Sequence, residues 1–206
     1  MLAQAPRLAA GGRLGGAARA DPELARRGAG HRLVAGEHRQ PERPGQKGGE
    51  QTGPSPVDRG KLGSKYHLLV DRGGIPLAVA LSAANAHDST YLERTVDAIP
   101  PVLGPRGKPG RPRFRPDKLH GDKGYDYPEK RRALRRRGIT PRIARRGVES
   151  SERLGRYRWV VERSLAWLLG FRRLGVRYER RAEILQGLLQ LACSLICIRF
   201  LSPAAG

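Results

Sequence analysis

No aromatic residue and no isoleucine occurs before Tyr66, and the stretch ahead of it is made mostly of Ala, Gly, Arg, Pro and Glu. Large apolar side chains are what a core is packed from, so this asymmetry, more than any single motif, limits where the chain can fold. The 206 residues carry 38% apolar side chains, enough for one domain of ordinary size when they are concentrated as they are here. Residues 1–46 accordingly read as a disordered basic segment, residues 47–201 as the folded part and residues 202–206 as a tail.

From Lys65 the pattern changes to YHLLVDRGGIPLAVALSAANAHDS. Two runs rich in Leu and Val, Tyr66–Val70 and Pro76–Ser82, are separated by Asp71-Arg72-Gly73-Gly74, the turn residues of a hairpin. Asp88, Ser89 and Thr90 then offer a helix N-cap, and Thr90 with Glu93 a capping box, opening a helix over LERTVDAI. The segment from Pro100 to Lys118 alternates prolines and glycines with cations and predicts an irregular basic loop. LHGD reads as a short buried strand ending at Asp122, YPEKRRALRRRG as a helix closed by Gly138, and ITPRIA as another strand. Arg153–Leu169 places Val160, Val161, Leu165, Trp167 and Leu168 at helical spacing, with Trp159 and Trp167 expected in the core. Ala182–Leu201 is apolar nearly all round, which predicts a buried helix. Strands and helices in this order give an α/β domain with a mixed sheet.

Forty Lys and Arg against 19 Asp and Glu give a formal net charge of +21. Such a surplus points to a polyanionic partner, because each phosphate neutralised by Arg or Lys releases a condensed counterion. A GC-rich gene would also enrich Arg, Gly, Ala and Pro, but the basic runs continue inside the part expected to fold, at Arg106–Arg115 and at Arg131, Arg132, Arg135, Arg136 and Arg137. The second run is either a solvated helix face or a track for phosphates. The two cysteines, Cys193 and Cys197, are too few for a disulfide framework and lack partners for a zinc site, so they read as core packing. Gly187–Leu201 is short for a bilayer and interrupted by Gln190, and the N-terminus has no continuous apolar segment of a secretion signal. The reading is a cytoplasmic protein with no membrane partner.

Against this basic background, KLHGDKGYDYPEK gathers Asp122, Asp126 and Glu129. If the strand at Leu119 belongs to a sheet, Asp122 lies at its C-terminal edge, where α/β folds place ligands. Glu162 follows on a helix, with Arg158 one turn before it. Hard carboxylate oxygens suit Mg²⁺ or Mn²⁺, and a pair of such ions can drive phosphodiester exchange. The same residues are also explained without a metal, Asp122 as a turn or cap residue pairing with Lys123, and Glu162 as an ion-pair partner of Arg158.

The motif DKGYD, the motif RYRWVVER, the hairpin segment from Thr52 to Ser89 and the apolar tail together resemble the catalytic domain of DDE-type transposases from bacterial insertion sequences, over about Gly48–Leu201. The resemblance implies a ribonuclease H-like mixed sheet flanked by helices, whose Asp, Asp and Glu bind two Mg²⁺ (or Mn²⁺) ions. It also implies cutting and rejoining of double-stranded DNA at terminal inverted repeats and target sites. Asp122 matches the second acid and Glu162 the third, both as metal ligands and catalytic residues. Arg158 matches the motif arginine, and with Lys123, Arg131, Arg135 and Arg136 it is expected at the DNA. Self-association belongs to the same expectation. His87-Asp88, after Asn85, also resembles a family motif, although a helix cap explains Asp88 equally well.

The first acid has no counterpart. The family carries it on a strand shortly before a Lys-Gly-Gly step; here GEHRQPERPGQ precedes Lys47-Gly48-Gly49, with no Asp and no strand pattern. Asp58 is expected in a loop and Asp71 in the hairpin turn. The composition of the first 46 residues is what a GC-rich gene yields when read out of frame, which makes the chain a truncated or frameshifted copy; a functional basic arm is the alternative. Two functions from different classes follow: a metal-dependent DNA transposase, or a non-catalytic basic DNA-binding remnant of one. A ribosomal-type RNA-binding protein fits the charge but leaves the ordered motifs unexplained.

Overall fold

The computed structural model of the chain describes residues 32–41, 48–56, 59–102, 112–145, 147–148 and 151–201. In chain order these form β1 (Arg32–Pro41), β2 (Gly53–Pro54), β3 (Leu62–Val70), β4 (Pro76–Ala83), α1 (Asp88–Asp97), β5 (Lys118–Gly121), a 3-10 turn (Lys123–Tyr125), α2 (Pro128–Arg136), β6 (Thr140–Ile143), α3 (Ser151–Leu169), α4 (Arg172–Gly175) and α5 (Ala182–Leu201).

The hairpin forms where its turn chemistry puts it. Asp71 Oδ1 accepts from the backbone N–H groups of Gly73 and Ile75, both at 2.8 Å, and Gly74 takes a φ of +86° that a side chain would resist. β3 then pairs antiparallel with β4 from Ser64↔Ala83 to Val70↔Pro76. On its other edge β3 pairs antiparallel with β1, Val34↔Val70 to Pro41↔Gly63, and β1 pairs parallel with β5, which pairs parallel with β6. The parallel step from β5 to β6 is made by α2, the crossover such a pairing requires. The result is a six-stranded mixed sheet flanked by helices, the fold class expected from the sequence.

Strand alternation divides the core in two. Tyr66, Leu68 and Val70 face Val160, Val161, Leu165 and Leu168 of α3 and Leu185, Leu189 and Ile196 of α5. Leu69, with Ala35, Ala78 and Leu119, faces Leu92 and Val96 of α1 and Leu134 of α2. Because β3 is covered on both sides, its apolar run is continuous rather than alternating. Arg177 closes the α3 side. Fully buried, it donates to the carbonyls of Glu50 (2.6 Å), Glu179 (2.7 Å) and Arg180 (3.2 Å), to Thr52 Oγ1 (2.7 Å) and to Ser64 Oγ. A guanidinium survives in such a place because its donors are satisfied by oxygens fixed in the fold.

Four expectations are corrected. The folded part begins at Arg32, ahead of Lys47, because GEHRQP lies within a strand: β1 pairs with β5 along Arg32–Val34 and with β3 along Val34–Pro41, so pairing with neighbours overrides its polar composition. The cap of α1 is His87, whose Nδ1 accepts from Ser89 N at 3.3 Å, while Glu93 reaches α2 instead of closing a capping box. Trp159 is exposed at the surface of α3 under the Arg163 guanidinium, and Trp167 is half-buried against Phe200. Finally α5 buries one stripe only and leaves Ile184, Leu191, Leu195, Ile198 and Phe200 outside. The two cysteines sit half-buried on α5, and burial raises the thiol of Cys193 to about 12. Residues 1–31, 42–47, Asp58 and most of the proline-rich basic loop lie outside the described residues.

Candidate functional site

Asp122 follows β5 in extended backbone, φ −78° and ψ −178°, and caps the 3-10 turn by accepting from Gly124 N at 2.8 Å through Oδ1. Its level in the sheet follows from register. His120 pairs with Val34 and Val34 with Val70, a residue of the α3-facing core, so Asp122, two positions on, continues on that same side. The β1 position at its level is Gly36, itself paired with Leu68. Glycine has no side chain, so β1 contributes no carboxylate there.

Glu162 is exposed on α3, the helix that covers this side. Its neighbours dock the helix on the hairpin turn: Ser164 Oγ donates to Gly74 O at 2.5 Å, and Arg163 donates to Gly73 O at 2.5 Å while lying over the rings of Trp159 and Trp167. Arg158 lies on α3, with its side chain outside the described part. Among the described residues no three His, Cys, Asp or Glu side chains come together in a way that could hold a metal ion. The donor set around Asp122 and Glu162 therefore does not fit a ready-made two-ion centre.

The basic residues divide sharply. Arg131 donates to Asp126 Oδ1 and to Ile143 O, both at 2.8 Å, pinning α2 to the end of β6. Arg137 grips Asp97 with two donors at 2.9 and 2.7 Å and reaches Glu93 at 3.1 Å; Lys130 reaches Glu93 at 3.1 Å. These bonds hold the Asp97 and Glu93 carboxyls below the usual carboxylate range, through Arg137 and Lys130 respectively. Arg135 and Arg136 are exposed, and Lys123 is half-buried at the start of the 3-10 turn.

Residues 32–197 match the family model described as Transposase DDE domain. The chain belongs to the DDE transposase family. A Burkholderia cepacia protein named "Putative transposase for insertion sequence element IS402" is 48% identical over 197 residues, covering 96% of this chain and 92% of that one. An alignment of that extent necessarily takes in most of the segment ahead of Lys47, so that segment is shared with a relative. Among solved structures, the catalytic core domain of BIV integrase is similar at 12% identity and a TM-score of 0.41, covering 85% of this chain and 86% of that one. DDE transposases use a divalent metal and act on DNA.

One polar cluster in this DDE transposase was signalled in the sequence only at His87 and Asp88. On the α1 side of β3, Lys65 pairs with Asp88 and donates to Ala86 O at 2.8 Å. His67 stacks on Tyr91 with ring centroids 4.7 Å apart and bonds Ser82 Oγ at 2.8 Å through Nε2. His87 Nε2 in turn meets Tyr127 OH at 2.8 Å, joining the start of α1 to the residue before α2. The available signal was periodicity: Lys65, His67 and Leu69 share one face of an otherwise apolar strand.

Proposed function

We propose that the chain is an insertion-sequence transposase that retains the family's DNA binding and lacks a complete metal site. Asp122 and Glu162 stand for the second and third acids and would hold Mg²⁺ or Mn²⁺, which supplies Lewis-acid chemistry to phosphodiester exchange when bound. What supports the reading of an incomplete site is the level of Asp122 in the sheet, opposite Gly36, together with the lack of a three-donor group among the described residues. Double-stranded DNA, as terminal inverted repeats and target, is the partner in this reading, and the cytoplasm is where it acts. Self-association belongs to the same reading, supported by the exposed apolar side chains of α5.

The test is a donor duplex bearing the inverted repeats, incubated with the purified chain in Mg²⁺ or Mn²⁺. Binding without excision is expected. Gly36→Asp should tighten Mn²⁺ binding by at least tenfold in calorimetry, and Asp122→Ala in that background should remove the gain. Efficient metal-dependent excision by the unaltered chain would overturn the reading and show that another acid completes the site.

A further inference from the structure

The positive charge of α2 is not evenly committed. Arg131, Arg137 and Lys130 are held by Asp126, Asp97 and Glu93. Arg132 and Arg135 lie on the same stripe of the helix as Arg131, are exposed, and have no ion-pair partner among the described residues; the same holds for Arg145, just past β6. With Asp126, Pro128 and Arg131 these three line an open cleft of about 410 Å³.

Four guanidinium groups thus share one cleft with a single carboxylate, and that carboxylate is already bound to Arg131 at 2.7 Å. Uncompensated like charges facing one space repel, and an anion removes the penalty. Guanidinium forks match the paired oxygens of a phosphodiester. Arg132 and Arg135 stand one helical turn apart, about 5–6 Å between Cβ atoms, a spacing that suits neighbouring phosphates on one strand. The Arg131 link to Ile143 O fixes the helix against β6, so the open arginines project from a rigid floor.

We infer that this cleft is a docking site for the sugar–phosphate backbone of duplex DNA, with Arg132, Arg135 and Arg145 as the phosphate ligands and the Asp126–Arg131 pair as their support. The inference rests on the reading of the chain as a DNA-binding protein and gives that binding an address. It assigns Arg131 a positioning role and excludes Arg137 from the contact.

Fluorescence anisotropy with a random-sequence 30-base-pair duplex over a KCl series tests it on the full chain. The triple variant Arg132→Gln, Arg135→Gln, Arg145→Gln should bind at least tenfold more weakly. Its plot of log K against log salt should be shallower by about 2 to 3, since each phosphate contact contributes about 0.9. A control triple, Arg72→Gln, Arg172→Gln, Arg199→Gln, removes the same charge from exposed arginines elsewhere and should change the slope by less than 1. Equal effects of the two triples would overturn the cleft while leaving DNA binding intact. Failure of the unaltered chain to bind duplex at low salt would instead overturn the functional reading itself. The control triple should melt with the unaltered chain and the cleft triple no lower, because the substituted side chains are exposed.

Discussion

Burial sets the environment of His67 against the charge its imidazole can carry. Ser82 Oγ donates to Ala83 O at 3.1 Å, so it accepts from His67 Nε2–H, which leaves Nδ1 buried without a partner. Burial pushes the imidazole down to about 4; Asp88 opposes this and Lys65 reinforces it, with the Tyr91 ring stacked alongside. In the unfolded chain the ring titrates near 6.5, so between pH 6.5 and 4 the unfolded state binds the extra proton. The stability tied to this residue is whole above pH 6.5 and is lost as pH falls toward 4, by roughly 3 kcal/mol over that window. Urea midpoints at pH 7.5, 6 and 5 check this: the wild-type midpoint should fall faster than that of His67→Gln. Parallel pH profiles would show that His67 is not the group responsible. Asp122 shows the opposite kind of legibility. A cap and a metal ligand are both compatible with the sequence, and the cap is visible in its bond to Gly124 N.

At the level of elements, α5 shows what composition can and cannot convey. Its sequence is apolar all round, so no stripe stands out and burial on every side is the natural expectation. A single helix lying on a sheet, however, presents only one stripe to it. Leu185, Leu189, Ala192 and Ile196 fill that stripe, Gln186 Nε2 donates to Val79 O at 3.0 Å, and Leu191 stays 57% exposed. By length and composition α5 is the one described helix that could cross a membrane; here it is seated on β4. Leu189→Ala should therefore cost about 2–5 kcal/mol through the cavity it leaves, whereas Leu191→Ala should stay within about 0.5 kcal/mol. Chemical denaturation of the two variants at a dilution that keeps copies apart separates them, and equal losses there would mean that Leu191 is covered within one copy. The strand β1 was illegible for a related reason: GEHRQP draws its hydrogen bonds from β3, a segment distant in the chain, and no local pattern announces that pairing.

For the molecule as a whole, the order of strands and helices from the hairpin onward was readable because each element carries its own period or turn signal. The relation between Asp122 and β1 was not, since it depends on a parallel register between segments far apart in the chain. The same long-range construction has a consequence during synthesis. Among the described residues, the α3-facing side of β3, with Tyr66, Leu68 and Val70, is covered by α3, α4 and α5, the last parts to be made. At about 5–20 residues per second, the hairpin leaves the ribosome on the order of ten seconds before its cover does. Ribosome-arrested chains ending just after β6 should therefore hold a hairpin that binds an apolar dye and is cut by protease, and chains carried through α5 should lose both properties. Protection already complete at the earlier arrest point would mean that the hairpin is shielded by something other than its own C-terminal helices. Until that moment one face of the central strand stands open to any other apolar partner.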